Sequence, residues 1–323
     1  MVARALKILI VTPAKHGTRL GNRITASRWA GIFRRLGHQT TIATEYLGGE
    51  FDLLIALHAR RSAKSVLRFQ QSCPLGKIVV AMTGTDLNFD LGKFSIVDEV
   101  LEIADQVLLL EPSGAKRLAR SIRKKSRLII QSAIPLKTLP RKLTRVFEVA
   151  ILGHLRPVKD PFRLAMAVRR LPASSRVRVI HFGQALTAGM ERRAVEEMER
   201  NPRYRWFGSV PHSVAHRRLA RSRISVLTSK AEGGPAVFSE SAVNDVPILS
   251  TRIDAAVGLL GSNYPGLFKF GDTQALTEMI HRAETNSKFY ERLSAATRKI
   301  KPKFLPETEL ASWRKLIANL CLS

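Results

Sequence analysis

Residues 6–37 read LKILIVTPAKHGTRLGNRITASRWAGIFRRLG, and the change of period inside this stretch decides the fold class. It opens with an apolar run of strand length. Residues 23–36 then bring Ile24, Ser27, Ala30, Gly31 and Phe33 toward one side of a helix, with Asn22 as the expected N-cap and Gly37 at the C′ position. A strand that feeds an amphipathic helix is one βα unit.

The same alternation recurs outward along the chain. FDLLIAL, KIVVAMT, QVLLL and RLIIQ continue the strand series to about Gln131, and VFEVAIL, RVRVIHF, RYRWF, RISVLT and VPILS form a second series. Strands alternating with helical segments predict parallel sheets covered on both faces. Residues 133–145, with two prolines and several cations, read as a linker. The expected class is therefore α/β, with two doubly wound Rossmann-like domains spanning 1–140 and 145–304. A terminal helix, 305–323, with Leu310, Trp313, Leu316 and Ile317 at core spacing, is expected to complete the first domain. Doubly wound sheets bind ligands beyond the carboxyl ends of their strands, here across the cleft expected between the domains.

Composition narrows the partners. The chain has 323 residues, 45% of them hydrophobic, enough for two cores. Cys73 and Cys321 are its only cysteines, which argues against a disulfide framework and fits a reducing, cytoplasmic setting. No apolar run approaches the roughly 20 residues that span a bilayer, so integral membrane association is not expected. A net charge of +27 favours anionic partners: nucleic acid, acidic lipid or phosphorylated metabolites. The cations are spread through the chain rather than gathered in a tail, and most read as solvated helix faces.

Strand exits in the second series form the expected donor side. VAIL ends at Gly153, and HLRPVKDPF follows, with Asp160 as N-cap and Pro161 as first helical residue. Lys159 and Arg156 then lie beside a helix N-terminus, where cations oppose the dipole unless an anion intervenes. His154 is a further candidate for that anion, Gly183 closes the next strand, and the backbone of Gly208, Ser209 and Val210 is placed to meet a nucleobase edge. The aromatics of RYRWF read as core. In SKAEGGPAVFSES, Gly233 and Gly234 permit close backbone approach, and Pro235 suits the first helical position ahead of Ala236. The helix amides favour phosphate, while Glu232 and Glu240 on either side accept sugar hydroxyls. A nucleotide sugar carries both groups.

Strand exits in the first series form the opposing wall. PAKHGTRLGNR supplies Lys15, Arg19, Gly21, Asn22 and Arg23; FDLLIAL leads into His58 and Arg60; KIVVAM leads into Thr83, Gly84, Thr85 and Asp86. G-x-G-x-x-G is absent and no acidic residue follows the second strand to hold a ribose, so a small anion is the better reading of these loops than a dinucleotide. His58 and Asp86 are the base candidates, and Glu232 joins them as a catalytic candidate. No D-x-D pair follows a strand and no histidine pair has ligand spacing, so neither a metal nor a cofactor is expected, with Lys159 and helix amides neutralising a leaving diphosphate.

The E-x7-E pair Glu232/Glu240, with GHLRPVKDP before it, resembles the retaining nucleotide-sugar glycosyltransferases of the B-type fold over essentially the whole chain. That resemblance implies that Glu240 binds ribose, Glu232 contacts the donor sugar and Lys159 clamps the diphosphate. The family's arginine directly after the glycine is replaced by His154, with Arg156 as its substitute. More narrowly, TPAKHGTRLGNRITASRWA, LLIALHARRSA, AMTGTDL, ILGHLRPVKDPFR and NPRYRWFG resemble the selenosugar synthases of selenoneine biosynthesis. This second resemblance implies transfer of the sugar of UDP-N-acetylglucosamine, or a related UDP-sugar, to selenophosphate, and functional coupling to a selenophosphate synthetase and a selenoneine synthase. Pro235, Asn244 and Asp245 depart from that family's pattern and bear on sugar choice. Selenophosphate arrives already anionic, so it needs cations such as Lys15, Arg19, Arg23 and Arg60 more than a base. The alternatives are a glycosyltransferase acting on a lipid or polysaccharide hydroxyl, and a nucleic-acid-binding protein, which leaves Glu232, Glu240 and the lysine loop unexplained.

Overall fold

The computed structural model describes residues 4–17 and 21–322. The chain divides into two units, Met1–Ile130 with Glu309–Ser323, and Gln131–Thr308. No helix among the described residues is long and apolar enough to cross a membrane.

The first unit is an α/β layer structure. Its strands are β1 (Lys7–Val11), β2 (Gln39–Ala43), β3 (Leu53–Leu57), β4 (Lys77–Met82), β5 (Gln106–Leu109) and β6 (Ser126–Leu128), in the order β2-β1-β3-β4-β5-β6. Every pairing is parallel. Each crossover is therefore a return over one face, and α1 (Gly21–Arg35), α2 (Ala59–Ser72) and α3 (Ser95–Ile103), with the short α4 (Arg120–Lys124) ahead of β6, provide much of that cover. The central strand LLIAL is buried throughout, as a strand covered on both faces must be. Alternate side chains separate the two cores. Leu9, Val11, Leu54 and Ala56 join Val66 and Phe69 of α2 and Val97 and Val100 of α3, whereas Ile8, Ile10 and Ile55 join Trp29 and Phe33 of α1.

The second of these cores is closed by the C-terminal helix, Pro306–Leu322. Trp313 is fully buried and meets Trp29 and Phe33 edge-on, at centroid distances of 4.8 and 4.7 Å. Trp29 Nε1 donates to the buried Glu309 at 2.9 Å, which satisfies the indole where water is excluded. The described part of helix α1 already includes Gly21 and Asn22, so Asn22 lies inside the helix and is not the N-cap. Its other end follows the sequence signal: Gly37 has φ 87°, and His38 N–H donates back to the Phe33 carbonyl.

The second unit repeats the plan with β7 (Phe147–Leu152), β8 (Val177–Phe182), β9 (Tyr204–Trp206), β10 (Ile224–Leu227), β11 (Ile248–Thr251) and β12 (Leu267–Phe268). The order is β12-β11-β10-β7-β8-β9, again parallel throughout. Between them run α5 (Arg163–Arg169), α6 (Ala188–Arg200), α7 (His212–Arg221) and α8 (Ala236–Val243). Residues 131–146 belong to this unit: Ala133 N–H donates to Phe304 and Leu136 N–H to the Asn244 side chain. Glu148 of β7, buried, is matched by Arg218 and Arg221 of α7 at 3.1 and 2.9 Å. The polar edge strand β2 and the two-residue β12 were not expected. QTTIA lacks the apolar run of a central strand because one of its edges has no strand partner.

Two outcomes follow. Trp313→Ala should lower unfolding stability by about 3–5 kcal/mol, because three aromatic rings lose their shared contact, and chemical denaturation measures the loss. His181 of β8 is fully buried, and burial lowers its pKa to about 4. Its unfolded value is near 6.5, so the unfolded chain takes up a proton that the native state refuses. The stability this contributes is present above pH 6.5 and should fall by about 3 kcal/mol as pH drops toward 4. Urea midpoints across that range should decline more steeply in the native protein than in His181→Phe.

Candidate functional site

Parallel topology puts the exits of β7, β8, β9 and β10 on one edge of the second sheet, and most of the expected donor residues lie there. Gly153 continues β7, its N–H donating to Phe182 at 2.9 Å, and the next two residues tie to Gln184: Gln184 N–H donates to His154 Nδ1 at 3.1 Å and Leu155 N–H to the Gln184 carbonyl. Gly183 N–H donates to Gly208 at 2.8 Å, and Trp206 Nε1 to the Gly183 carbonyl. Three strand exits are thereby stitched side by side.

The loop after β7 differs from its expected form. Residues Pro157–Lys159 make one tight helical turn and Asp160 takes a left-handed conformation, φ 42°, so α5 begins only at Arg163 with Phe162 as N-cap. Asp160 accepts from Arg163 Nε at 2.7 Å instead of capping a helix. The reason is local: Pro157 starts a turn of its own, and the chain must reverse before α5 can run back along the sheet. This loop is pinned to the β10 exit, where the Thr228 hydroxyl donates to the carbonyls of Lys159 and Asp160 and Lys230 N–H to Val158.

That pinning brings together two residues 73 apart in sequence. Lys159 Nζ contacts Glu232 Oε1 at 2.5 Å, and the Ser229 hydroxyl donates to the same oxygen at 2.6 Å. Both charged side chains are partly buried, 26% and 11% exposed, so water screens the pair only partly. Helix α8 starts at Ala236 and Pro235 is its N-cap, one residue earlier than the expected position; Phe238 N–H bonds the Pro235 carbonyl. Gly233 and Pro235 are buried, and in the first turn of the helix Ala236 is exposed while Val237, Phe238 and Ser239 are buried. Glu240, one turn on, bonds His212 Nε2 at 2.8 Å. Arg156 and Ser209 are exposed, and Val210 packs against the core around Ala215. Phe207, expected in the core, is 45% exposed and stacks on Phe182, whereas Tyr204 is the aromatic of that strand that is buried.

The corresponding edge of the first unit gathers the exits of β1, β3 and β4. His58 follows β3 with φ 75°, a left-handed backbone that costs a non-glycine residue about 1–3 kcal/mol. Its ring is buried, with Asp86 and Asp90 carboxylates 3.9 and 4.0 Å from its two nitrogens, and neither nitrogen has a hydrogen-bond partner among the described residues. Burial holds the imidazole below its usual pKa against the pull of those carboxylates, so it is neutral at pH 7. Arg60 pairs with Asp90 at 3.0 Å and lies over the Phe94 ring. Asp86 is wholly buried, and its two oxygens accept from the backbone amides of Ala59, Thr83, Gly84 and Leu87. Burial raises its pKa, and His58 with the amides of Ala59, Gly84 and Leu87 opposes the rise. Thr85 is partly buried beside it, and Lys15, Gly21, Asn22 and Arg23 lie at the β1 exit, with Lys15 and Gly21 exposed. Arg19 lies outside the described residues.

Sequence reasoning passed over His181, Ser229, His212 and Asp90. None belongs to a spacing motif; His181, His212 and Asp90 meet partners distant in sequence, whereas Ser229 bonds Glu232 three residues on in the same loop. A cavity of about 270 Å³ opens at the amino ends of the second sheet, beside Phe147 and Tyr290. It lies away from the edge at which α/β sheets bind ligands, and its Arg176 and Arg223 side chains are turned to the Thr144 and Leu143 carbonyls.

Residues 141–300 match the family model of glycosyl transferases group 1. Among solved structures, sucrose-phosphate synthase from Thermosynechococcus elongatus is similar with a TM-score of 0.81 at 15% identity, over 99% of this chain and 100% of that one. HepE of Anabaena, in complex with UDP-glucose, gives 0.76 at 14% identity over 97% and 100% of the two chains. A glycosyltransferase from Rickettsia africae gives 0.73 at 13% identity over 98% and 99%. A search of proteins of curated function returns no match. At such identities the structural likeness speaks for the fold alone, and that fold is the B-type fold of glycosyltransferases, here two six-stranded parallel sheets. Over residues 141–300, just under half of its length, the chain is similar to the glycosyl transferases group 1.

Proposed function

We propose that this glycosyltransferase takes its sugar from a UDP-sugar, UDP-N-acetylglucosamine first, and transfers it to selenophosphate, forming a carbon–selenium bond. The observation that carries the donor half is the Lys159–Glu232 pair at the carboxyl edge of the second sheet, next to the start of α8. A diphosphate arriving there meets an ammonium already held in place and the positive end of a helix. Lys159 turning to the diphosphate frees Glu232 to accept donor-sugar hydroxyls, and Glu240 takes the ribose hydroxyls in place of His212. HepE, solved with UDP-glucose in the same fold, supports this class of donor.

In the reaction, selenium attacks the anomeric carbon as its bond to the diphosphate oxygen breaks, and the electron pair leaves with UDP. Lys159 and the α8 amides stabilise the charge that develops on the leaving group. An anionic nucleophile has no proton to lose. The first unit suits such an acceptor, with Lys15, Arg23 and Arg60 as its counter-charges and Asp86 occupied by four amides. We assign Asp86 to holding the β3 and β4 exits together, and His58 to contact with the acceptor. No cofactor enters this scheme, because the UDP-sugar is a substrate. Selenophosphate as acceptor rests on the resemblance of the β1, β3 and β7 exit loops to those of selenosugar synthases.

Purified protein without added metal should release UDP from UDP-N-acetylglucosamine when selenophosphate is supplied, and mass spectrometry should find a selenium-containing sugar. Turnover with a sugar or lipid hydroxyl, and none with selenophosphate, would overturn the acceptor assignment while leaving the donor. Lys159→Ala and Glu240→Ala should each weaken UDP binding by about ten- to a hundred-fold in calorimetry, the range for a hydrogen bond to a charged group. Undiminished affinity in both would move the donor site elsewhere.

A further inference from the structure

Strand β8 reads VRVIHF, and the histidine in it is among the most deeply buried polar groups of the second unit. Both of its nitrogens are engaged: Nδ1 lies 2.7 Å from the Tyr204 hydroxyl and Nε2 lies 3.0 Å from the Gly153 carbonyl. The chemistry of the partners assigns the protons. A carbonyl only accepts, so Nε2 carries the hydrogen, and Nδ1 must then accept from Tyr204. Burial keeps the imidazole neutral and the phenol protonated, so this pattern of donors persists across the working pH range.

The far end of the relay is the residue that opens the lysine loop. Gly153 is held by its N–H, which donates to Phe182, and by its carbonyl, which accepts from His181. Gly183 closes the third side. A side chain on Gly183 would place its Cβ 1.9 Å from the Gly153 carbonyl oxygen, so this approach of backbones is open to glycine alone. A polar pair inside an otherwise apolar layer loses hydration, and a valine or phenylalanine would fill the same strand position without that loss. What the pair adds is one directed hydrogen bond to one peptide, the last before His154 and the loop to Lys159.

We propose that His181 and Tyr204 are positioning residues for the donor diphosphate, a buried two-bond relay that sets the Gly153 peptide and through it the loop carrying Lys159. They touch no substrate. The inference rests on the donor reading given above.

Tyr204→Phe tests it, with Tyr264→Phe as the matched control. Tyr264 is also buried, and its hydroxyl bonds Thr297 at 2.8 Å and accepts from Ile248 N–H at 3.1 Å, neither of them at the β7 exit. Each substitution removes one oxygen, and both should lower the thermal midpoint by a similar few degrees. Only Tyr204→Phe should weaken UDP binding, by about five- to tenfold in calorimetry well below the midpoint, with the donor KM raised by the same factor and the acceptor KM unchanged. Equal UDP affinity in the two variants and the native protein would overturn the relay. UDP affinity lost equally in both would also overturn it, because loosening of the unit as a whole would then be the cause. If the native protein binds no UDP at all, the donor reading fails and the relay fails with it.

Discussion

A strand that pairs in parallel with its neighbour must be re-entered from the same end, and every pairing in both sheets of this protein is parallel. Each crossover therefore covers a face, which makes the strands apolar on both sides, and each strand exit opens on one edge. The candidate site is a consequence of that constraint. Lys159 follows β7 and Glu232 follows β10, neighbours in the sheet although far apart in sequence, and side-by-side strands deliver them to a common corner.

Holding that corner takes backbone chemistry more than side-chain packing. The Thr228 hydroxyl on the carbonyls of Lys159 and Asp160, Gly183 N–H on Gly208 and the His181–Gly153 bond are all contacts to the main chain. The first unit uses the same device, with Asp86 gathering amides from two exits. A carboxylate that accepts several backbone amides fixes loops strongly, because its lone pairs are already engaged. The net positive charge is likewise partly structural: Arg203 bonds the Pro172 carbonyl, Arg223 that of Leu143 and Arg123 that of Leu118. These guanidinium groups close chain turns by donating to carbonyls that no helix or strand satisfies.

Much of the fold was legible because buried parallel strands need continuous apolar runs, and the runs around Leu54, Val79, Val149 and Val226 stand out against polar surroundings. Gly37 was legible for a comparable reason, since its left-handed φ is a local requirement with a local answer. The edge strand β2 was not, because its polar residues meet solvent at an edge without a partner. Helix starts at Arg163 and Ala236 each differ from the expected residue, because Asp160 turns its carboxylate to Arg163 and Pro235 stands at the N-cap, one position before the first helical residue. At the site, Glu232, Glu240 and Lys159 were legible as charged residues at strand exits. That Lys159 meets Glu232 and that His212 meets Glu240 was not, since nothing in sequence spacing foretells which exit loop faces which.

By itself, then, the sequence determined the α/β class, the strand runs and the set of polar residues at their carboxyl ends, because hydrophobic period and turn chemistry act over a few residues. Tertiary structure alone decided that Lys159 lies on Glu232, that Asp86 spends its oxygens on amides, and that His181 reaches Gly153 across two strands. Those outcomes depend on strand order and register, which bring together residues tens of positions apart and which no local pattern encodes.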